Sequence, residues 1–310
     1  MARRLAELDR LDALRLPYPP RKPRRLGTIS SLILLAGAVG AVVWWTGAGR
    51  HTHTATTESP PITITPLTQS PAKPHIVRRA PRVLTGRDVS SPEPGLEEHS
   101  SRLLPAVSAP GVGDYKFLAM NGTKPVSYDA CRPIHYVIRD LTTPVGGDDA
   151  VRVAIADLSR ATGLKFVFDG MTRETPSSNR STYQPYRYGD RFALVLIAWT
   201  NATEVPGLAG HIFGLGGSGS FTRSASVPPT YVSGFVYLDA PDIVAAQVSS
   251  GYAISVMSVV EHELGHLVGL NHVTDPAQLM YPESHGQSGY QAGDLRGLAI
   301  EGSGSCRPEL

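Results

Sequence analysis

From His262 to His272 the chain reads HELGHLVGLNH, and this run restricts the local fold more than any other stretch. His262 and His266 are four residues apart, so a helix here puts both imidazoles on one face, one turn apart. Glu263 is offset from them by about 100° around the axis. Gly269 can take a positive φ, end the helix and turn the chain. That turn brings His272 back towards the same point. Three neutral imidazole nitrogens and a water are the ligand set of a tetrahedral catalytic zinc site. A carboxylate placed like Glu263 reaches the water's proton without being a ligand. The competing reading is a helix with coincidental surface histidines. Only 10 histidines occur in 310 residues, so the combined spacing weighs heavily against it.

The rest of the chain divides by composition. Residues 1–25 hold eight basic residues against Glu7, Asp9 and Asp12, a local charge of +5 within a total of +2. A basic tail on a near-neutral body is not the footprint of a nucleic-acid binder. Residues 26–45 (LGTISSLILLAGAVGAVVWW) carry no charge and are long enough, at about 30 Å as a helix, to cross a hydrocarbon core. The basic flank predicts a cytoplasmic N-terminus and an extracytoplasmic remainder, with Trp44 and Trp45 at the far interface. The alternative is secretion after cleavage of this segment as a signal peptide, near Thr46 or Ala48. Residues 46–112, rich in Pro, Thr and Ser, read as an extended stalk.

Residues 113–310 read as the folded domain. Strands are expected over 131–140, 164–168, 192–199 and 232–238, and a Gly-rich loop over 214–220. Helices are expected over 148–162, capped by Asp148 or Asp149 and stopped at Gly163, over 254–268, and over 292–300. Strands and helices mix without strict alternation, which predicts an α+β domain with a mixed sheet. Cys131 and Cys306 stand near its two ends and have no zinc-ligand spacing. Beyond a membrane anchor they meet oxidising conditions, so a disulfide clasping the domain is expected.

His262 to His272, with Met280 eight residues later in AQLMYP, resembles the metzincin metallopeptidases and, within them, the matrixin branch. The resemblance implies a metzincin-like catalytic domain with one catalytic zinc and a protein or peptide substrate. Met280 would form the base beneath the zinc, and Tyr281 and Pro282 would line the pocket for the side chain after the cut bond. More weakly, Ala209–Gly214 is similar to the family's substrate-pairing edge strand. His211 falls where matrixins often place a structural zinc ligand. The companion position holds Tyr237 instead of His, so no second zinc is expected. Asp239 is similar in place to a calcium ligand, but one carboxylate does not make a calcium site. Val273 stands where better-known matrixins have Ser, a departure from the branch pattern.

The other ionisable residues read more blandly. His285 is a loop residue, His51 and His53 belong to the stalk, and Glu261 and Asp294 read as helix-surface or capping charges. Asn121 and Asn201 lie in Asn-x-Thr sequons, which matter only in a glycosylating host. Residues 46–130 contain no cysteine, so a cysteine that blocks the open zinc position is excluded there. Asp114 and Asp129 are within sequence reach of that job but sit in no recognised motif, so activity without removal of an inhibitory segment is expected. Function is thus read as a membrane-anchored extracytoplasmic zinc endopeptidase with Glu263 as base. The alternative is a catalytically silent, zinc-containing surface binding or adhesion module, for which Glu263 would have no use.

Overall fold

The computed structural model describes residues 91–109, 111–210, 212–249, 255–284 and 286–310. The expected anchor at 26–45, the basic tail and most of the expected stalk lie outside them, as do His211 and His285. Among the described residues, no helix is long and apolar enough to cross a membrane.

The core is a five-stranded sheet. A short hairpin, β1 (Met120–Asn121) and β2 (Lys124–Pro125), precedes it. The sheet strands are β3 (Ile134–Arg139), β4 (Phe166–Met171), β5 (Val195–Thr200), β6 (Gly214–Phe221) and β7 (Thr230–Asp239). Their order is β4-β3-β5-β7-β6, all parallel except β6, which runs antiparallel to β7 at one edge. Helix α1 (Gly147–Thr162) makes the crossover between the parallel strands β3 and β4. Four further α-helices follow among the described residues: α2 (Pro185–Tyr188), α3 (Ala240–Ser249), α4 (Val256–Val268) and α5 (Ala292–Glu301). The mixed α+β expectation is met, with the sheet mostly parallel.

Both faces of the central strands are buried, which explains their unbroken apolar runs. On β5, Val195, Ile197 and Trp199 join the core formed with Leu158 of α1, Leu264 of α4 and Leu298 of α5. The alternate residues Leu196 and Ala198 pack on the other face with Val205, Leu208 and Tyr237. Helix α1 starts one residue earlier than expected, after Gly146 at φ 77°, and neither Asp148 nor Asp149 is its cap. Both lie in the first turn, where they favour the helix through its dipole. Gly163, at φ 68°, ends the helix as expected.

The expected start of the folded domain near Gly113 moves towards the N-terminus. Residues 91–109 are bonded to the body: the amides of Gly95, His99 and Leu103 donate to the carbonyls of Leu310, Cys131 and Ala130. Arg102 adds bonds to the carbonyls of Gly302 (2.8 Å) and Gly163 (3.2 Å). These are long-range backbone partners, invisible in a Pro- and Ser-rich composition.

Cys131 and Cys306 are joined, with a Cα–Cα distance of 5.1 Å across a separation of 175 residues. The Asp129 carboxylate braces this corner by accepting from the amides of Cys131 (2.8 Å) and Arg307 (3.1 Å). Replacing both cysteines with Ser should lower unfolding stability by about 2–5 kcal/mol. Denaturant titration of zinc-loaded protein measures this, and an unchanged midpoint would refute the clasp.

Candidate metal centre

Helix α4 carries the first two histidines, and Gly269 at its C-terminus takes φ 116°. The Gly269 amide bonds back to the carbonyls of Gly265 and His266, closing the last turn. From there Leu270 and Asn271 lead to His272. The three Nε2 atoms converge: His262 to His266 is 3.1 Å, His266 to His272 is 3.1 Å, and His262 to His272 is 3.2 Å. Ligands around one tetrahedral ion at zinc–nitrogen distance lie about 3.3 Å apart.

The far sides of the rings settle what converges. His262 Nδ1 donates to the Leu279 carbonyl at 2.7 Å, and His266 Nδ1 donates to the Leu270 carbonyl at 2.8 Å. Each bond fixes the proton on Nδ1 and leaves Nε2 as a lone pair facing the centre. Burial favours the neutral imidazole: it lowers the pKa of His262, that of His266 to about 3 and that of His272 well below the usual value. Neighbouring imidazoles push His266 and His272 further the same way. The inward lone pairs of His262 and His266 meet His272 Nε2 at ligand spacing, and a cation between them would satisfy all three nitrogens. The set therefore fits a zinc ion, and these three residues would hold it.

Glu263 follows His262 and is buried between α4 and the edge strand β6. The contact is close because β6 presents no side chain there. A Cβ on Gly214 would stand 2.5 Å from Glu263 Cγ and 2.7 Å from its carboxyl carbon. A Cβ on Gly216 would overlap the Glu263 carbonyl oxygen and lie 3.0 Å from His266 Cβ. Ser218, next on this face, donates to the Leu267 carbonyl at 2.5 Å. The segment 214–220, expected to be a Gly-rich loop, is thus a strand. Glycine is poor in strands, but only glycine lets this helix lie on the strand backbone. The sheet edge among the described residues is accordingly Gly214–Phe221, which shares Gly214 with the expected Ala209–Gly214.

Below the histidines the chain returns through Leu279, Met280 and Tyr281, all buried, to the half-buried Pro282. Met280 Sδ lies 2.5 Å from where a Gly265 Cβ would be, so the thioether sits against the bare backbone of α4. The helical pattern makes Asp294 a helix-surface or capping charge. It is a cap, paired with Gln291, but it is buried. Its carboxylate also accepts from the amides of Leu279 (2.7 Å) and Met280 (3.2 Å), fixing the carbonyl that holds His262. Helical spacing shows the cap and cannot show this second duty. Glu261 is likewise buried, and burial, with Asp157 beside it, raises its carboxyl pKa to about 7.

The remaining expected positions fall elsewhere. Tyr237 clamps a loop, its hydroxyl accepting from the Ser177 amide at 3.1 Å and donating to the Ser177 carbonyl at 3.0 Å. The loop is tied further by the buried Arg180–Glu174 pair at 2.8 Å. Asp239 is buried and accepts from the Asp242 amide at 3.2 Å, heading α3. Val273 is buried, its amide bonded to the Met280 carbonyl at 3.1 Å. Asp129 serves the disulfide corner, and the Asp114 backbone lies against Gly293.

Gly216→Ala should force α4 off β6 and destabilise the fold by about 1–3 kcal/mol or more. It should also lower zinc affinity, because both helical histidines move with α4. Thermal unfolding with and without zinc measures both effects, and a wild-type profile would show that the helix does not depend on the bare strand.

The matrixin family model matches residues 208–298, which take in β6, β7, α3, α4, the Met280 turn and most of α5. No curated protein matches the chain significantly. Through the segment that holds its three histidines, the chain is similar to the matrixins, a family of zinc metallopeptidases.

Proposed function

We propose that the protein is an endopeptidase that works outside the cytoplasm while tethered to a membrane. The observation that carries the peptidase reading is the convergence of three Nε2 atoms within 3.2 Å, with Glu263 following His262 on the same helix. When bound, zinc supplies a Lewis acid that polarises a carbonyl and acidifies a water. His262, His266 and His272 would hold it. Glu263 takes a proton from the attacking water and passes it to the leaving amine. Burial against Gly214 limits the rotamers of Glu263, so its carboxylate is ready when substrate arrives.

An extended peptide adds to the outer edge of β6 by main-chain hydrogen bonding. The scissile bond then lies beside the α4 helix that packs on this strand. Met280 supports the floor of the site, and Tyr281 and Pro282 shape the pocket for the residue after the cut. A purely structural zinc site has no task for Glu263, which argues against a silent binding module.

For the tether we propose residues 1–25 inside, 26–45 across the membrane and the Pro-rich segment from residue 46 as the stalk. The packed segment 91–109 makes that stalk shorter than composition suggests.

Two measurements test this. Glu263→Ala should lower kcat on a quenched peptide library by about 10²–10⁴-fold and keep one zinc per chain. Near-normal turnover in that variant would sink the mechanism. External protease on intact cells should release the folded domain by cutting upstream of Ser91. A secreted protein beginning near Arg50 would instead mean signal cleavage.

A further inference from the structure

The third histidine depends on one turn. Gly269 makes it at φ 116°, three residues after His266 and three before His272. Residues 116–118 bracket the turn: the Leu118 amide donates to the Gly269 carbonyl at 2.8 Å, and the Asn271 amide donates to the Lys116 carbonyl at 2.7 Å. A second group presses on Gly269 itself. A Cβ there would stand 2.8 Å from Glu301 Cδ and 3.1 Å from Glu301 Oε2, and closer still to Oε1. The Glu301 carboxyl therefore abuts the bare Cα of the turn.

Glu301 closes α5 and is 1% exposed. Its Oε2 accepts from Ser127 Oγ at 2.9 Å, while Oε1, the oxygen nearest the turn, has no hydrogen-bond partner among the described residues. A buried polar atom in that state is costly and calls for a reason. Burial raises the carboxyl pKa to about 9, with the Ser127 bond opposing, so the group is neutral at pH 7. It acts on the turn by shape and adds no charge near the imidazoles. The two ends of α5 thus reach two different histidines: Asp294, in its first turn, through the Leu279 carbonyl to His262, and Glu301, in its last, through Gly269 towards His272.

We propose that Glu301 is a positioning residue for His272: its carboxyl, anchored by Ser127, wedges against Gly269 and holds the turn that presents the third imidazole. This rests on the zinc peptidase reading above. The test uses the full-length chain in wild-type, Glu301→Ala, Glu301→Gln and Ser127→Ala forms. Zinc content, zinc release to a chelator, unfolding temperature and peptide turnover are measured on each.

Glu301→Ala, which empties the wedge, should release zinc about tenfold faster or more. It should lower kcat with little change in KM. Glu301→Gln keeps the shape and should stay within about twofold of wild type, as small polar swaps without lost packing do. Ser127→Ala unties the wedge and should fall between the two. A folded Glu301→Ala that releases zinc at the wild-type rate overturns the inference, and so does Glu301→Gln failing as badly as Ala. If Glu301→Ala does not fold, Ser127→Ala decides, and unchanged release there overturns it. A wild-type chain that binds no zinc would defeat the peptidase reading itself. A wild type with one zinc and unaffected variants would defeat only the role of Glu301.

Discussion

Three imidazole nitrogens held within 3.2 Å of one another, with those of His262 and His266 presenting lone pairs, form an arrangement that an uncharged protein interior resists. Everything around them serves to hold it. Two rings are pinned from behind by carbonyls, of Leu279 and Leu270, which fix tautomer and direction together. Burial lowers the tendency of all three to protonate, so the site offers neutral ligands across the neutral pH range.

That pinning is carried outward by α5 and by the sheet edge. Asp294 fixes the turn that carries Leu279 and Met280, and Met280 lies against the bare Gly265 of α4. On the other flank, Gly214 and Gly216 let α4 approach β6 closely enough to trap Glu263 between helix and strand. Main-chain groups thus meet directly at the site on two sides. Backbone is less adaptable than side chains, so the spacing of the three histidines and Glu263 has little room to drift.

Much of this was legible in the residue order. The helix with two histidines, the turn at Gly269 and the return of His272 follow from a period of 3.6 and from glycine's access to positive φ. The apolar runs of β3, β5 and β7 announced buried strands, with boundaries displaced by a few residues. What misled was glycine: a run such as GLGGSGS reads as a loop because its cost in a strand is local and visible. Its benefit, room for a helix overhead, lies in a partner more than forty residues away. The burial of Glu261 and of the capping Asp294 is hidden similarly, since a charge on an amphipathic pattern reads as exposed until the elements packed over it are known.

The sequence by itself determined the three histidines, Glu263 beside them, the turn at Gly269 and the α+β class, because each depends on residues near one another in the chain. Only the tertiary structure decided that 214–221 is an edge strand, that residues 91–109 belong to the folded body, and that both ends of α5 brace the turns serving His262 and His272. Those outcomes rest on contacts between segments far apart in the chain, where backbone carbonyls, buried carboxyls and absent side chains meet. Local pattern holds no record of such meetings, because hydrogen bonding and excluded volume act through space.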